Sequence, residues 1–161
     1  SEWAKQGTPY KALLESMLSD EYFSLSAPKS TGREYFNMDW LNHHLNKINS
    51  DATPVDVQAT LLQLSMITIC NAITSLPEKV DELLACGGGA FNPVFIEKLQ
   101  NLLPDIDVST TSKYGLSPDC IEAVTFAWLA KQRLENKTAN LPSVTGASKK
   151  VLLGGVYSSC N

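Results

Sequence analysis

Residues 85–93 read ACGGGAFNP, three consecutive glycines between an apolar run and an Asn-Pro pair. The chain holds only nine glycines in 161 residues, and ordering a glycine forfeits more backbone entropy than ordering any other residue. Three side by side therefore need a reason. Just upstream, the apolar stretch VDELLACGG (80–88) is expected to contain a buried strand, although periodicity alone does not separate it from a helical segment. Downstream, Asn92-Pro93 is expected to open a helix running through Leu103, with Phe95, Ile96, Leu99 and Leu102 facing inward. In a strand–glycine turn–helix unit, backbone amides converge beyond the strand's end. Without side chains in the way, a flat ring or a phosphate can lie against them. Open α/β sheets take their ligands at that place. The same residues also suit a tight, ligand-free turn. The stretch is neither a G-x-G-x-x-G fingerprint nor a Walker loop, because no Lys-Ser/Thr follows it.

Working outward, DIDVSTTSKYG (105–115) is a second strand candidate and VLLGGVYS (151–158) a third. Helices are expected over Tyr10–Leu18, Met38–Ile48 and Val55–Ser75, and from Ser117-Pro118 to about Glu135. The order strand, helix, strand, helix, strand places the chain in the α/β class. The Val55–Ser75 helix carries a narrow polar stripe of Asp56, Thr60, Gln63, Asn71 and Thr74 on an otherwise apolar surface. It is therefore expected near the middle of a layered domain, with Asp56, Thr60 and Gln63 of the stripe toward solvent or, alternatively, toward a cleft between lobes.

The composition sets limits. With 43% hydrophobic residues, the chain has material for the core of one domain or one large lobe. A formal charge of −4 and a pI near 5.1 argue against nucleic acid or an anionic membrane as the main partner. No apolar run approaches the roughly 20 residues of a membrane span, and Ser1–Tyr10 does not read as a signal peptide. Cys70, Cys86, Cys120 and Cys160 form no C-x-x-C pair and have no histidine at zinc-ligand spacing. Cys70 and Cys86 lie in apolar runs and are expected to be buried free thiols in a reducing, cytoplasmic setting. His43 and His44 are adjacent, so on a helix they diverge by about 100°. They are expected at the surface, with no nucleophile beside them. Trp3, Trp40 and Trp128 are expected to be packing residues.

Several blocks resemble one family in the same order. CGGGAFNP (86–93) is similar to the glycine signature of the anhydro-N-acetylmuramic acid kinases. PKSTGREYFN (28–37), DVQATL (56–61), EAVTFAWLA (122–130), NLPSVTGAS (140–148) and VLLGGVY (151–157) resemble further blocks of that family. The resemblance implies the C-terminal lobe of an actin-like (ribonuclease H-like) sugar kinase fold, its sheet incomplete for want of upstream strands. It implies ATP and magnesium as cofactors and a small amino sugar as substrate. The implied reaction opens the 1,6-anhydro ring with water while O6 takes the γ-phosphate, giving N-acetylmuramic acid 6-phosphate in peptidoglycan recycling. A homodimer is implied on the same ground.

The resemblance directs attention to a few residues. Gly87, Gly88, Gly89 and Asn92 are the expected nucleotide site, although Asn92 also suits a helix N-cap. Lys29 and Arg33, on a Ser-Thr-Gly turn with Thr31 and Gly32, are expected to hold phosphate or the sugar's carboxylate, or else to form a solvated basic loop. Glu122 is expected on the sugar side, the alternative being a carboxylate that complements a helix dipole. The family's Gly-Thr-Ser-x-Asp-Gly phosphate loop and its general-base aspartate have no match here. Residues 1–161 are thus expected to be the C-terminal part of a kinase, including most of its second lobe, with Ser1 inside a domain and no phosphoryl transfer by this part alone. The rival readings are another sugar kinase of the superfamily and a non-catalytic nucleotide-binding or dimerisation module.

Overall fold

The computed structural model describes residues 2–48 and 51–157. Three short helices come first: α1 (Glu2–Gln6), α2 (Lys11–Leu18) and α3 (Glu21–Ser24). Helix α4 (Met38–Lys47) follows a long loop, and α5 (Pro54–Thr74) is the longest element. Then come strand β1 (Glu82–Ala85), a 3-10 turn (Gly88–Phe91), α6 (Pro93–Leu102) and β2 (Asp107–Thr110). Two further 3-10 turns (Thr111–Tyr114 and Pro118–Cys120) lead into α7 (Ile121–Leu134), and α8 (Pro142–Thr145) closes the order.

Helix α5 organises the molecule because it is apolar on more than one side. Thr53 caps it by accepting from the Asp56 amide (3.4 Å), and Pro54 fills its first position, where no amide partner is needed. Leu64 joins Leu13, Met17 and Leu41 in one core, against α2 and α4. Met66, two residues further on, joins Leu99, Leu103 and Val108 in a second core, against α6 and β2. Leu13, Met17, Met66 and Leu99 are fully buried, and each such side chain contributes about 1.5–3 kcal/mol of transfer free energy. By length and composition alone α5 would also suit a membrane span, contrary to the expectation above. In the structure it packs against α1, α2 and α6, burying Ala59, Thr60, Leu64 and Met66.

Among the described residues the sheet has two strands, not three. Strand β1 pairs with β2 in parallel, from Glu82 opposite Asp107 to Ala85 opposite Thr110. Leu83 and Val108 face the α5/α6 core together, so by strand alternation Leu84 and Ser109 share the other face. The expected third strand is absent: residues 151–157 form no strand, and Ser158 lies outside the described residues. Among the described residues no neighbouring strand pairs with this apolar stretch.

Three other expectations are corrected. The polar stripe of α5 does not face solvent at its start. Thr60 is fully buried, accepting from the Tyr10 amide at 2.8 Å, and Asp56 accepts from the Thr8 amide at 2.8 Å. These bonds tie the α1–α2 turn to α5, where Gly7 lies so close that a Cβ would stand 2.2 Å from the Val55 carbonyl oxygen. His44 is buried, not superficial, and Ser16 lies 2.9 Å from its Nδ1. Cys86 is exposed, because β1 has already ended at Ala85.

Candidate functional site

Parallel pairing brings the carboxyl ends of β1 and β2 side by side. The glycine turn leaves one, and the Thr111–Tyr114 turn leaves the other. The three glycines are not equivalent. Gly87 has φ +73° and ψ −174°, a region that only glycine occupies without strain. Its amide donates to the Pro118 carbonyl at 2.9 Å, fastening the turn to the segment that leads into α7. Gly88 and Gly89 show no such left-handed backbone, and a Cβ on either would meet nothing within 4 Å. Neither conformation nor packing within the described residues requires glycine at 88 or 89.

Two further groups at this end lack what polar atoms normally find. Ser109 Oγ and Thr111 Oγ1 are buried and have no hydrogen-bond partner among the described residues. Buried hydroxyls are nearly always satisfied. Asn92 caps α6, its Oδ1 accepting from the Phe95 amide at 3.3 Å. That bond uses the carbonyl end of the side chain only.

Glu122 sits in the first turn of α7 and is exposed. The turn just before it, Pro118–Cys120, packs on the glycine turn. The fold thus brings the α7 N-terminus toward Gly87–Gly89, which sequence spacing could not show. At 100° per residue Glu122 falls between Leu129 and Arg133, with Thr125 60° away on one side and Phe126 40° away on the other, so it stands at the border of the apolar surface of α7.

The basic loop has a different setting. Lys29 Nζ donates to the Tyr22 and Phe23 carbonyls at 2.9 and 3.1 Å and lies 4.9 Å from the Tyr22 ring centroid. Two of its three donors are therefore committed to the end of α3. Arg33 is exposed and has no hydrogen bond or ion pair among the described residues. The far end of the loop is anchored by Phe36, stacked on Phe23 with centroids 5.5 Å apart, and by Tyr35, whose hydroxyl donates to Asp20 at 2.9 Å. The Ser30–Arg33 tip is held from both sides. Pro28 approaches Gly146 in the 140–148 stretch, where an added Cβ would lie 4.0 Å from its ring.

Asp20 was not singled out from the sequence. It accepts from Trp40 Nε1 at 2.8 Å, from the Tyr22 amide and from Tyr35, with His44 Nε2 3.9 Å away. Burial pushes its carboxyl up, but the hydrogen bonds from Trp40, Tyr22 and Tyr35 and the nearby His44 outweigh this and hold it below the ordinary carboxylate range. Burial, reinforced by His43 and Lys47 and opposed by Asp20, lowers His44. Ser16, His44 and Asp20 together contain the groups of a hydrolytic triad. Ser16 and His44 are both buried, however, and the network joins α2 to α4. Of the tryptophans, Trp40 packs as expected, whereas Trp3 and Trp128 are about half exposed. Among the described residues, no group of three His, Cys, Asp or Glu side chains could hold a metal ion.

A β-α-β unit with a glycine turn after its first strand places the chain in the α/β class. Comparison with known proteins gives the family. The profile described as Anhydro-N-acetylmuramic acid kinase matches residues 1–159, and the chain belongs to that family. It is 49% identical over 156 residues to the anhydro-N-acetylmuramic acid kinase of Pseudomonas savastanoi pv. phaseolicola, covering 97% of this chain and 43% of that protein. To the enzyme of the same name from Actinobacillus pleuropneumoniae serotype 5b it is 49% identical over 158 residues, covering 98% and 42%. To that from Saccharophagus degradans it is 47% identical over 156 residues, covering 96% and 42%. The chain thus spans somewhat under half the length of the curated relatives it matches.

Proposed function

We propose that these residues are the C-terminal part, including most of the second lobe, of an ATP-dependent kinase with an actin-like fold. That enzyme opens 1,6-anhydro-N-acetylmuramic acid with water and phosphorylates it at O6. The observation that carries this reading is the open space over Gly88 and Gly89. Glycine there is explained by something that approaches the bare backbone from outside, and a purine or ribose ring has the flat shape that does so. The buried, unpartnered hydroxyls of Ser109 and Thr111 at the same end offer polar partners for that group. Magnesium, which neutralises phosphate charge in phosphoryl transfer, is assigned here to the phosphates of the nucleotide.

In this reading Gly87 shapes the turn, Gly88 and Gly89 receive the nucleotide, and the free amide end of Asn92 borders it. Glu122 accepts hydrogen bonds from the sugar. Arg33 meets an anionic group of the ligand, and Lys29 holds the loop that presents it. The general base for the attacking water is supplied from outside this chain. The test is a full-length chimera: the savastanoi kinase with its 156 matched residues replaced by those of this chain. The chimera is expected to bind ATP in calorimetric titration and to release ADP when the anhydro-sugar is added. Chain 1–161 alone is expected to release none above background. A folded chimera that binds no ATP, or turnover by residues 1–161 alone, would overturn the proposal.

A further inference from the structure

Asp20 does more than cap a helix. A capping carboxylate accepts from an amide in the first turn of its own helix, and the Tyr22 amide meets that need at 2.9 Å. Two further donors reach Asp20 from elsewhere in the chain: Trp40 Nε1 of α4 at 2.8 Å and the Tyr35 hydroxyl at 2.9 Å. The Asp20 side chain is only 10% exposed, so one nearly buried carboxylate gathers α3, α4 and the 28–37 loop. The Tyr22 amide and the Trp40 indole N–H can only donate, and they meet different oxygens of Asp20. An asparagine would satisfy one and turn an –NH2 toward the other.

The loop is indexed to this carboxylate through its backbone. The Gly32 carbonyl accepts from both the Tyr35 and the Phe36 amides at 3.1 Å, which closes a tight turn with Arg33 inside it. Where Tyr35 is held therefore decides where Arg33 stands. On the near side, Lys29 donates to the Tyr22 and Phe23 carbonyls, so both legs of the loop end on α3. Arg33 takes no part in this bracing. The neighbouring Glu34 carboxylate turns back over Gly32, where an added Cβ would stand 2.6 Å from its Oε2. Arg33 itself pairs with nothing among the described residues. The loop is thus ordered around a cation that its own fold does not use.

We propose that Asp20 and Tyr35 are positioning residues: their hydrogen bond holds the Gly32–Phe36 turn so that the Arg33 guanidinium meets an anionic oxygen group of the ligand. That group is a phosphate of the nucleotide or the carboxylate of the sugar. The proposal rests on the reading of Arg33 given above. Neither Asp20 nor Tyr35 touches the ligand, and each acts through Arg33. A guanidinium recognises such a group as a rigid planar fork, so a shift of its backbone breaks the match. The competing role for the bond is structural, a tie that serves stability and nothing else.

The experiment is a double-mutant cycle in the chimera between Tyr35→Phe and Arg33→Met. Tyr35→Phe keeps the ring against Phe36, with centroids 5.0 Å apart, and removes only the hydroxyl. Asp20 retains its other two donors, so this variant should stay folded. It should speed tryptic cleavage after Arg33 and lower kcat/KM for the anhydro-sugar about tenfold, short of the ~100-fold that a 1 Å misplacement can bring. Arg33→Met should lower kcat/KM about 10- to 150-fold. The double variant should lose no more than Arg33→Met alone, because the Tyr35 effect passes through Arg33. A raised KM for the sugar with unchanged ATP affinity assigns the anion to the sugar, and weaker ATP binding assigns it to a phosphate; either supports the proposal. Asp20→Asn should show the same dependence on Arg33, and where it fails to fold the Tyr35 cycle decides. Losses that add in the double variant, or faster cleavage with wild-type kinetics in Tyr35→Phe, would make the bond structural and overturn the proposal alone. Wild-type kinetics in Arg33→Met, or a folded chimera without turnover, would overturn the ligand reading of Arg33 and the proposal with it.

Discussion

Gly88→Ala separates the two reasons a glycine can be needed. In the chain alone, the new methyl meets nothing within 4 Å, and the backbone there is open to an L-residue. The substitution therefore acts mainly on the unfolded chain, whose freedom it reduces. At a compatible site that stabilises by about 0.4–1 kcal/mol, or about 1–4 °C in Tm for a domain of this size. In the ATP-binding chimera the same methyl occupies the space into which a ring must settle. Forcing packed groups apart costs about 1–3 kcal/mol, which weakens Kd about 5- to 150-fold. Gly87→Ala is the control of opposite sign. At φ +73° it should destabilise both proteins by about 1–3 kcal/mol, whatever the nucleotide does. Thermal melting of the chain and calorimetric ATP titration of the chimera read both quantities. An unchanged ATP affinity in Gly88→Ala, or a Tm that falls in the chain alone, would refute the reasoning.

Glu122→Gln in the chimera should lower kcat/KM for the anhydro-sugar about 10- to 150-fold, the worth of a hydrogen bond to a charged group, with ATP affinity nearly normal. A lower Tm with intact sugar kinetics would reduce Glu122 to a helix-dipole carboxylate. Lys29→Met should speed tryptic cleavage after Arg33, because the loop loses its two bonds to the end of α3; an unchanged cleavage rate would show that the loop is held otherwise. Both His44 and Asp20 have folded-state values below their ordinary 6.5 and 3.8, so the folded chain binds fewer protons than the unfolded one. Stability should therefore decrease as the pH is lowered, from below about 6.5 on account of His44 and again through the carboxylate range on account of Asp20. His44→Gln, which cannot titrate, should flatten the first part of that profile in pH-dependent denaturation; a slope unchanged by the substitution would assign it elsewhere.

The elements that carried local signals were legible in the sequence. Thr53-Pro54 and Asn92-Pro93 each cap a helix where they promised one, and the run before the glycines is a strand. Residues that act across long separations were not. Asp20 meets Trp40 and Tyr35, and Ser16 meets His44 28 positions away; no periodicity records such a pairing. Thr60 lay on a polar stripe, and nothing nearby in the sequence indicated that the Tyr10 amide would cover it. The 151–157 stretch is strand-like in composition, but a strand exists only with a partner to bond, and none pairs with it among the described residues. In the candidate site, the glycine run was visible as a run. The division between Gly87, held by its backbone angles, and Gly88 and Gly89, held by nothing internal, is a matter of φ and empty space that letters do not encode.

Strand β2 does not depend on its neighbour alone for its position. Gln100, near the end of α6, donates from Nε2 to the Leu103 and Ile106 carbonyls at 3.1 and 2.9 Å, and its Oε1 accepts from the Val108 amide at 3.0 Å. One side chain thus does the work of a backbone segment, indexing the strand to the helix that precedes it. Sliding β2 by one residue would break these bonds and turn Val108 out of the core. It would also carry Thr111 about 3.3 Å along the strand axis, away from the glycines. The alignment of the two strand ends beside the glycine turn is therefore set from the opposite end of the sheet. A single-residue insertion between Leu103 and Ile106 should misalign those ends while leaving every residue of the glycine turn in place.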